Sequence, residues 1–235
     1  MTISIVLFII HTHLQINELI IFKKSHQVHM SKSIAIIDCA IKEPSLFCFN
    51  KLTASNLLCS FHSASQMGVI SLKKPTCYKA IIIFGSYSHV HEELLWHQDL
   101  LKWTTHALDK GVPVLGICFG HQLLSRHFGA TIKEVNIFPQ TLEGSRKVTF
   151  HQNFNCFTKG DSYQLFVSHQ YEVSNLPDQL ISLASSEDCR HEVVAHQSLP
   201  FLGVQAHPEG SERFPISTLT KPISARFLNK VKKME

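Results

Sequence analysis

An open, largely parallel β-sheet with helices on both faces, three layers in all, is the α/β fold class this sequence predicts. Three observations carry it. From residue 33 onward, short β-rich apolar runs alternate with longer stretches of helical periodicity, the pattern of a sheet covered on both sides. The run KAIIIF (79–84) has no polar residue after its first position, as expected of a strand buried on both faces. The chain's 235 residues, 44% hydrophobic and 17% charged, are enough for one substantial core.

The elements follow in order. SIAIID (33–38) is the first strand, and KAIIIF is the next, ending in the turn composition GSYS. HEELLWHQDLLKWTTHALDKG (91–111) places apolar residues at 94, 95, 96, 100, 101, 103 and 107, a helical stripe with Gly111 as its terminator. VPVLGIC (112–118) reads as a strand and GHQLLSRHFG (120–129) as a helix ending at glycine. Strands dominate the later half: RKVTF (146–150), YQLFVS (163–168), LISLAS (180–185), HEVVAH (191–196) and FLGVQAH (201–207). SARFLNKV (224–231) is a closing helix. Parallel pairing is expected in the first half and more antiparallel pairing in the second.

Residues 30–235 are expected to form a single domain, because Met30 opens MSKSIAIIDCA, a polar start running into a strand. Residues 1–29 are then an extension outside the fold. Their apolar run ISIVLFII (3–10) has no Lys or Arg before it, unlike a secretory leader. It is also shorter than the roughly 20 residues that span a bilayer. A cytoplasmic protein without membrane contact is the expectation.

The net charge of +4 is scattered over short Lys pairs and does not interleave with aromatics, so no nucleic-acid partner is expected. Seven cysteines, at 39, 48, 59, 77, 118, 156 and 189, form no CxxC pair, and an odd count suits a reducing compartment. The 16 histidines include no HExxH pattern, so no metal and no cofactor are expected.

GICFGHQLL (116–124) puts Cys118 between two glycines, after a strand and before a helix. A nucleophile at such an elbow needs small neighbours at positions −2 and +2. The helix start directs free amides at the sulfur and favours the thiolate. The two glycines alone leave a buried structural thiol as an open alternative. Further on, GVQAHPEG (203–210) ends a strand with His207, Pro208 and Glu209. Proline stops the strand, so imidazole and carboxylate emerge together, the carboxylate placed to orient the ring toward Cys118.

GICFGHQLL, followed about ninety residues later by GVQAHPE, resembles the class I glutamine amidotransferases, in their stand-alone, GMP synthase-like branch. The segments IIIFGSYSHV (81–90), VSHQYEV (167–173) and LISLASSEDC (180–189) extend the resemblance over about residues 33–215. It implies a flavodoxin-like sheet and a Cys-His-Glu triad: Cys118 as nucleophile, His207 as general acid and base, and Glu209 as its orienter. It also implies an oxyanion hole made by the backbone amides of Gly85 and Phe119. Gln122 would help to hold the substrate, and Ser168 and His169 would lie on the loop receiving its amino-acid end. His121 would be a helix-start residue and not a second base.

Two positions depart from the family pattern: Phe84 replaces the first of two glycines, which narrows the pocket, and Tyr171 stands where an acidic residue is common. The implied reaction hydrolyses the glutamine side-chain amide through a γ-glutamyl thioester on Cys118 and releases ammonia. No GxxxxGK[ST] loop occurs in the chain, so the acceptor chemistry would belong to a separate synthetase polypeptide. Two alternatives stand beside this reading. One is a γ-glutamyl peptidase using the same triad on a larger leaving amine; the other is a non-catalytic regulatory or binding subunit.

Overall fold

The apolar runs of the first half become strands in the order expected, each a little shorter than its run. In the computed structural model, which describes residues 32–53, 58–135, 142–155 and 157–210, β1 is Ile34–Asp38, followed by α1 (Leu46–Thr53), β2 (Cys59–Ser63) and α2 (Ala64–Met67). Then come β3 (Ala80–Ile83), α3 (Leu95–Asp109), β4 (Val114–Ile117) and α4 (Phe119–His127). The second half contains β5 (Thr131–Glu134), β6 (Leu142–Phe150), β7 (Ser162–His169), β8 (Tyr171–Asn175), β9 (Leu180–Ser185), β10 (Val193–His196) and β11 (Phe201–Val204). The expected extension (1–29) and closing helix (224–231) lie outside the described residues.

The main sheet has nine strands among the described residues, in the order β2-β1-β3-β4-β11-β10-β9-β6-β7. The pairs β2–β1, β1–β3, β3–β4 and β4–β11 are parallel, and the remaining four pairs are antiparallel. A separate antiparallel ribbon joins β5 to β8. The three-layer, flavodoxin-like α/β class expected from the sequence is the one observed.

Alternation along each parallel strand splits the core in two. Ile34, Ile36, Ile82, Leu115, Ile117 and Val204 point to one face, where Phe49 of α1 packs. Ala35, Ile37, Ile81, Ile83 and Val114 point to the other, against Leu100 and Leu108 of α3 and Leu124 of α4. Period-two alternation with both faces apolar explains why KAIIIF carries no polar break.

The helix expected over 91–111 begins later. Val90–Glu92 forms a 3-10 turn, and Glu93 takes a left-handed conformation (φ 50°) that separates it from α3 at Leu95. The helix ends at Asp109, and Gly111 follows at φ 73°, where a side chain would be strained. Five of these strands and helices had no sequence expectation: α1, β2, α2 and the two strands of the small ribbon. β2 (CSFHS) is a half-buried edge strand throughout, and TIKE in β5 buries only Ile132.

Ile82 is fully buried at the centre of the parallel half. Ile82→Ala should therefore lower the unfolding free energy by about 2–5 kcal/mol. Ile70→Ala, at a position 80% exposed, should change it by less than about 0.5 kcal/mol. Urea denaturation of the two variants, monitored by circular dichroism, checks the contrast.

Candidate active site

The strand-to-helix turn between β4 and α4 is sharp enough to force its middle residue into an unusual conformation. Cys118 has φ 49° and ψ −100°, a combination that L residues adopt only where the surroundings hold it. The flanking glycines are steric necessities. A Cβ on Gly116 would stand 2.6 Å from the carbonyl carbon and oxygen of Gly120, and one on Gly120 would stand 2.8 Å from the carbonyl oxygen of Ile83. The Cys118 amide donates to the Val204 carbonyl at 2.8 Å, so the elbow is tied to the end of β11.

Beyond β11 the chain bends, and Pro208–Gly210 forms a 3-10 turn. The His207 amide donates to the Phe166 carbonyl on β7 at 2.8 Å. His207 Nδ1 lies 2.8 Å from Glu209 Oε1, with Glu209 almost fully buried. The ring also hydrogen-bonds Cys118. Burial, the strongest single influence on this imidazole, opposes its charge. The Glu209 carboxylate, the Cys118 sulfur and the hydrogen bonds to both outweigh it and hold His207 well above the usual histidine range. The three residues of the expected triad are thus brought into one chain of contacts.

Gly85, on the loop after β3, packs against the same group. A Cβ there would meet Cε1 of His207 at 2.8 Å and Cβ of Cys118 at 3.4 Å. Its loop is anchored by Ser86, whose hydroxyl donates to the Cys39 carbonyl at 2.6 Å. Phe119 opens α4, where backbone amides have no intrahelical acceptor. Its ring is buried against Trp96 and His97 of α3.

The remaining expected site residues gather around Cys118 as well. Cys118 Sγ is 3.8 Å from the Ser168 carbonyl, so it is the backbone of Ser168 that faces the sulfur. Gln122 is buried, and its Nε2 donates to the Tyr171 carbonyl at 2.6 Å and to Gln205 Oε1 at 3.2 Å. His169 Nδ1 donates to the same Tyr171 carbonyl at 3.0 Å. Its Nε2 therefore carries no proton and accepts from Arg146 Nη2 at 2.7 Å. Burial and Arg146 together bring His169 down to about 3, with the Tyr171 carbonyl opposing. His121 is fully enclosed and lowered to about 3, mainly by burial, so it is neutral and remote from a base's role. Tyr171 lies with its ring against those of His89 and His91, centroids 4.5 and 5.7 Å away.

Two cavities meet at Cys118. The smaller, about 80 Å³, is lined by Ser88, Gln122, Ser168, His169 and Tyr171 among others. The larger, about 460 Å³, lies on the His207 and Glu209 side and includes Lys42, Glu143 and the buried Phe84 in its walls. Among the described residues no cluster of three or more His, Cys, Asp or Glu side chains could hold a metal ion, and no helix is long and apolar enough to cross a membrane.

Three contributors were not anticipated from the linear sequence. Gln205, inside the quoted GVQAHPE, donates toward Cys118 Sγ at 3.8 Å. Its position two residues before His207 puts it at the end of β11, the only hint available in the sequence. Arg146 and Glu192 sit in unrelated segments and meet only in three dimensions.

A family model described as glutamine amidotransferase class-I matches residues 35–215. The chain is 28% identical over 196 residues to the glutamine-hydrolyzing GMP synthase of Wolinella succinogenes, covering 79% of this chain and 34% of that protein. It is 36% identical over 104 residues to a subunit of the glutamine-hydrolyzing GMP synthase of Thermococcus kodakarensis, covering 44% of this chain and 54% of that one. The matches thus span about a third to a half of these relatives' lengths. The crystal structure of a putative GMP synthase subunit from Thermoplasma acidophilum superposes with a TM-score of 0.65 at 20% identity. That superposition covers 88% of this chain and 98% of the other and bears on the fold alone.

The Glu209 carboxylate is the first of the influences that raise His207. Glu209→Gln should lower the His207 titration midpoint measured by NMR. An unchanged midpoint would mean that the carboxylate does not support the charged ring.

Proposed function

Because the chain belongs to the class-I glutamine amidotransferase family, we propose that it hydrolyses the side-chain amide of glutamine through a γ-glutamyl thioester on Cys118. The observation that carries this reading is the contact chain Glu209–His207–Cys118 at an elbow held in a strained conformation. The sulfur attacks the amide carbon, and the amides of Gly85 and Phe119 receive the developing oxyanion. His207, whose charged form the site favours, gives its proton to the departing nitrogen as the C–N bond breaks, releasing ammonia. A water then loses a proton to His207 and attacks the thioester carbon, freeing glutamate and the sulfur. Glu209 keeps the ring oriented through both steps. Ser168, His169 and Gln122 line the smaller cavity, on the side away from the acid, where the glutamyl group would lie.

The ammonia acceptor would be supplied by a separate polypeptide. The Thermococcus relative is itself one subunit of a synthase, which supports a synthetase partner for this chain. A second reading is favoured by the larger cavity. The leaving nitrogen must lie on the side of the acid that protonates it, and that side opens into about 460 Å³, far more than ammonia needs. A γ-glutamyl peptide would undergo the same chemistry with its amine in this space.

Release of glutamate from glutamine and from a panel of γ-glutamyl amides tests both readings. Cys118→Ser should abolish it, and His207→Ala should reduce it by at least about 10²-fold. Glu209→Gln should keep measurable turnover with an altered pH profile. An active His207→Ala beside an inactive Glu209→Gln would assign the base to Glu209 instead. Higher kcat/KM for a peptide than for glutamine would select the second reading. No release from any substrate would leave a binding role.

A further inference from the structure

Behind the substrate-side wall lies an ion pair that the proposed chemistry does not use. Arg146, on β6, places Nε 2.6 Å from Oε1 of Glu192, with the carboxylate fully buried and the Arg146 side chain 9% exposed. The Ser186 hydroxyl donates to the same oxygen at 2.7 Å. Two charges withdrawn from water at this depth are seldom favourable as a stability device, since well-packed apolar groups of similar volume serve as well or better. What distinguishes this pair is its second contact. Arg146 Nη2 donates to His169 Nε2, and this requires the His169 proton on Nδ1, where it is donated to the Tyr171 carbonyl. Gln122 donates to that carbonyl as well, and Gln205 links Gln122 to Cys118. The Ser168 carbonyl beside the sulfur belongs to the same turn.

We propose that Arg146 and Glu192 are positioning residues: the buried pair fixes His169 in one tautomer and so sets the wall, from Ser168 to Tyr171, against which the glutamyl group is held. This rests on the reading of Cys118 as a glutamine-directed nucleophile. Glu192 holds the guanidinium in place, and its second arm reaches the imidazole. An ammonium has one nitrogen and cannot keep both contacts in this geometry. Without the arm, His169 is free to exchange its proton between the two ring nitrogens, and the Tyr171 carbonyl loses a fixed donor.

The test compares two reagents for Cys118, neither of which needs an ammonia acceptor. The diazomethyl ketone analogue of glutamine must seat its amino-acid end before it alkylates, whereas iodoacetamide needs only the reactive sulfur. The variants are Arg146→Lys, which keeps the charge beside Glu192, and the neutral double variant Arg146→Met/Glu192→Leu, which leaves no buried charge unpaired. Labelling of Cys118 is followed by peptide mapping. Both variants should react with the glutamine analogue at least about tenfold more slowly, the order expected from losing a hydrogen bond to a charged group. Their iodoacetamide rates should stay within about twofold of wild type, as expected if the sulfur's surroundings are intact. Equal slowing with both reagents would make the pair merely structural, and no slowing with either would remove it from the site. If the wild type does not prefer the glutamine analogue over its counterpart lacking the α-amino group, the glutamine reading fails and takes this proposal with it.

Discussion

The site depends on the register between two parallel strands that are distant in the chain. β4 and β11 pair with Gly116 opposite Gly203 and Ile117 opposite Val204, and the next step upward is the bond from the Cys118 amide to the Val204 carbonyl. Cys118 and the Gln205–Glu209 segment therefore leave the sheet at one level. A slip of one residue would turn every side chain of β11 to the other face, sending Leu202 and Val204 into the wrong core layer. The register that fills the core is also the one that delivers imidazole to sulfur. β3, the other neighbour of β4, ends at the same edge and adds the Gly85 loop.

Two imidazoles near this edge meet opposite electrostatic fates although both pay a cost for burial. His207 faces a carboxylate and a sulfur, which overcome the cost of burial and favour its charge. His169 is lowered first by burial, and the guanidinium it faces adds to that cost, bringing it to about 3. Partner identity, more than depth, decides the outcome. The result is one imidazole whose charged form is favoured and one that is kept neutral.

In the parallel half, β1, β3, β4 and the elbow were legible because their signals are local. KAIIIF is a continuous apolar run, and a nucleophile turn confines its requirements to the five residues from Gly116 to Gly120. His207 and Glu209 were legible because a proline between them signals a break in the chain, although β11 itself ends earlier than the expected 201–207, at Val204. The rest is through-space. Arg146 and Glu192 pair across 46 positions with no periodicity to betray it, and Gln205 looks like an ordinary strand-end amide until Gln122 and Cys118 are placed around it. β2, β5 and β8 escaped for a different reason. Edge strands and small ribbons are half-solvated, so CSFHS, TIKE and YEVSN carry neither a strong apolar run nor clean alternation.

β11 lies fifth in a nine-stranded order, yet it is the last strand made among those described. In the main sheet it is the sole neighbour shared by the parallel half (β2, β1, β3, β4) and the antiparallel half (β10, β9, β6, β7). Each half can begin to pair as it leaves the ribosome, but they join only when β11 enters the gap between β4 and β10. Such long-range closure makes folding slow and leaves two apolar strand edges waiting in the meantime. The same late step carries His207 to Cys118, so a nascent or stalled chain holds the Cys118 thiol without its imidazole neighbour. Maturation of the site and completion of the sheet are a single event.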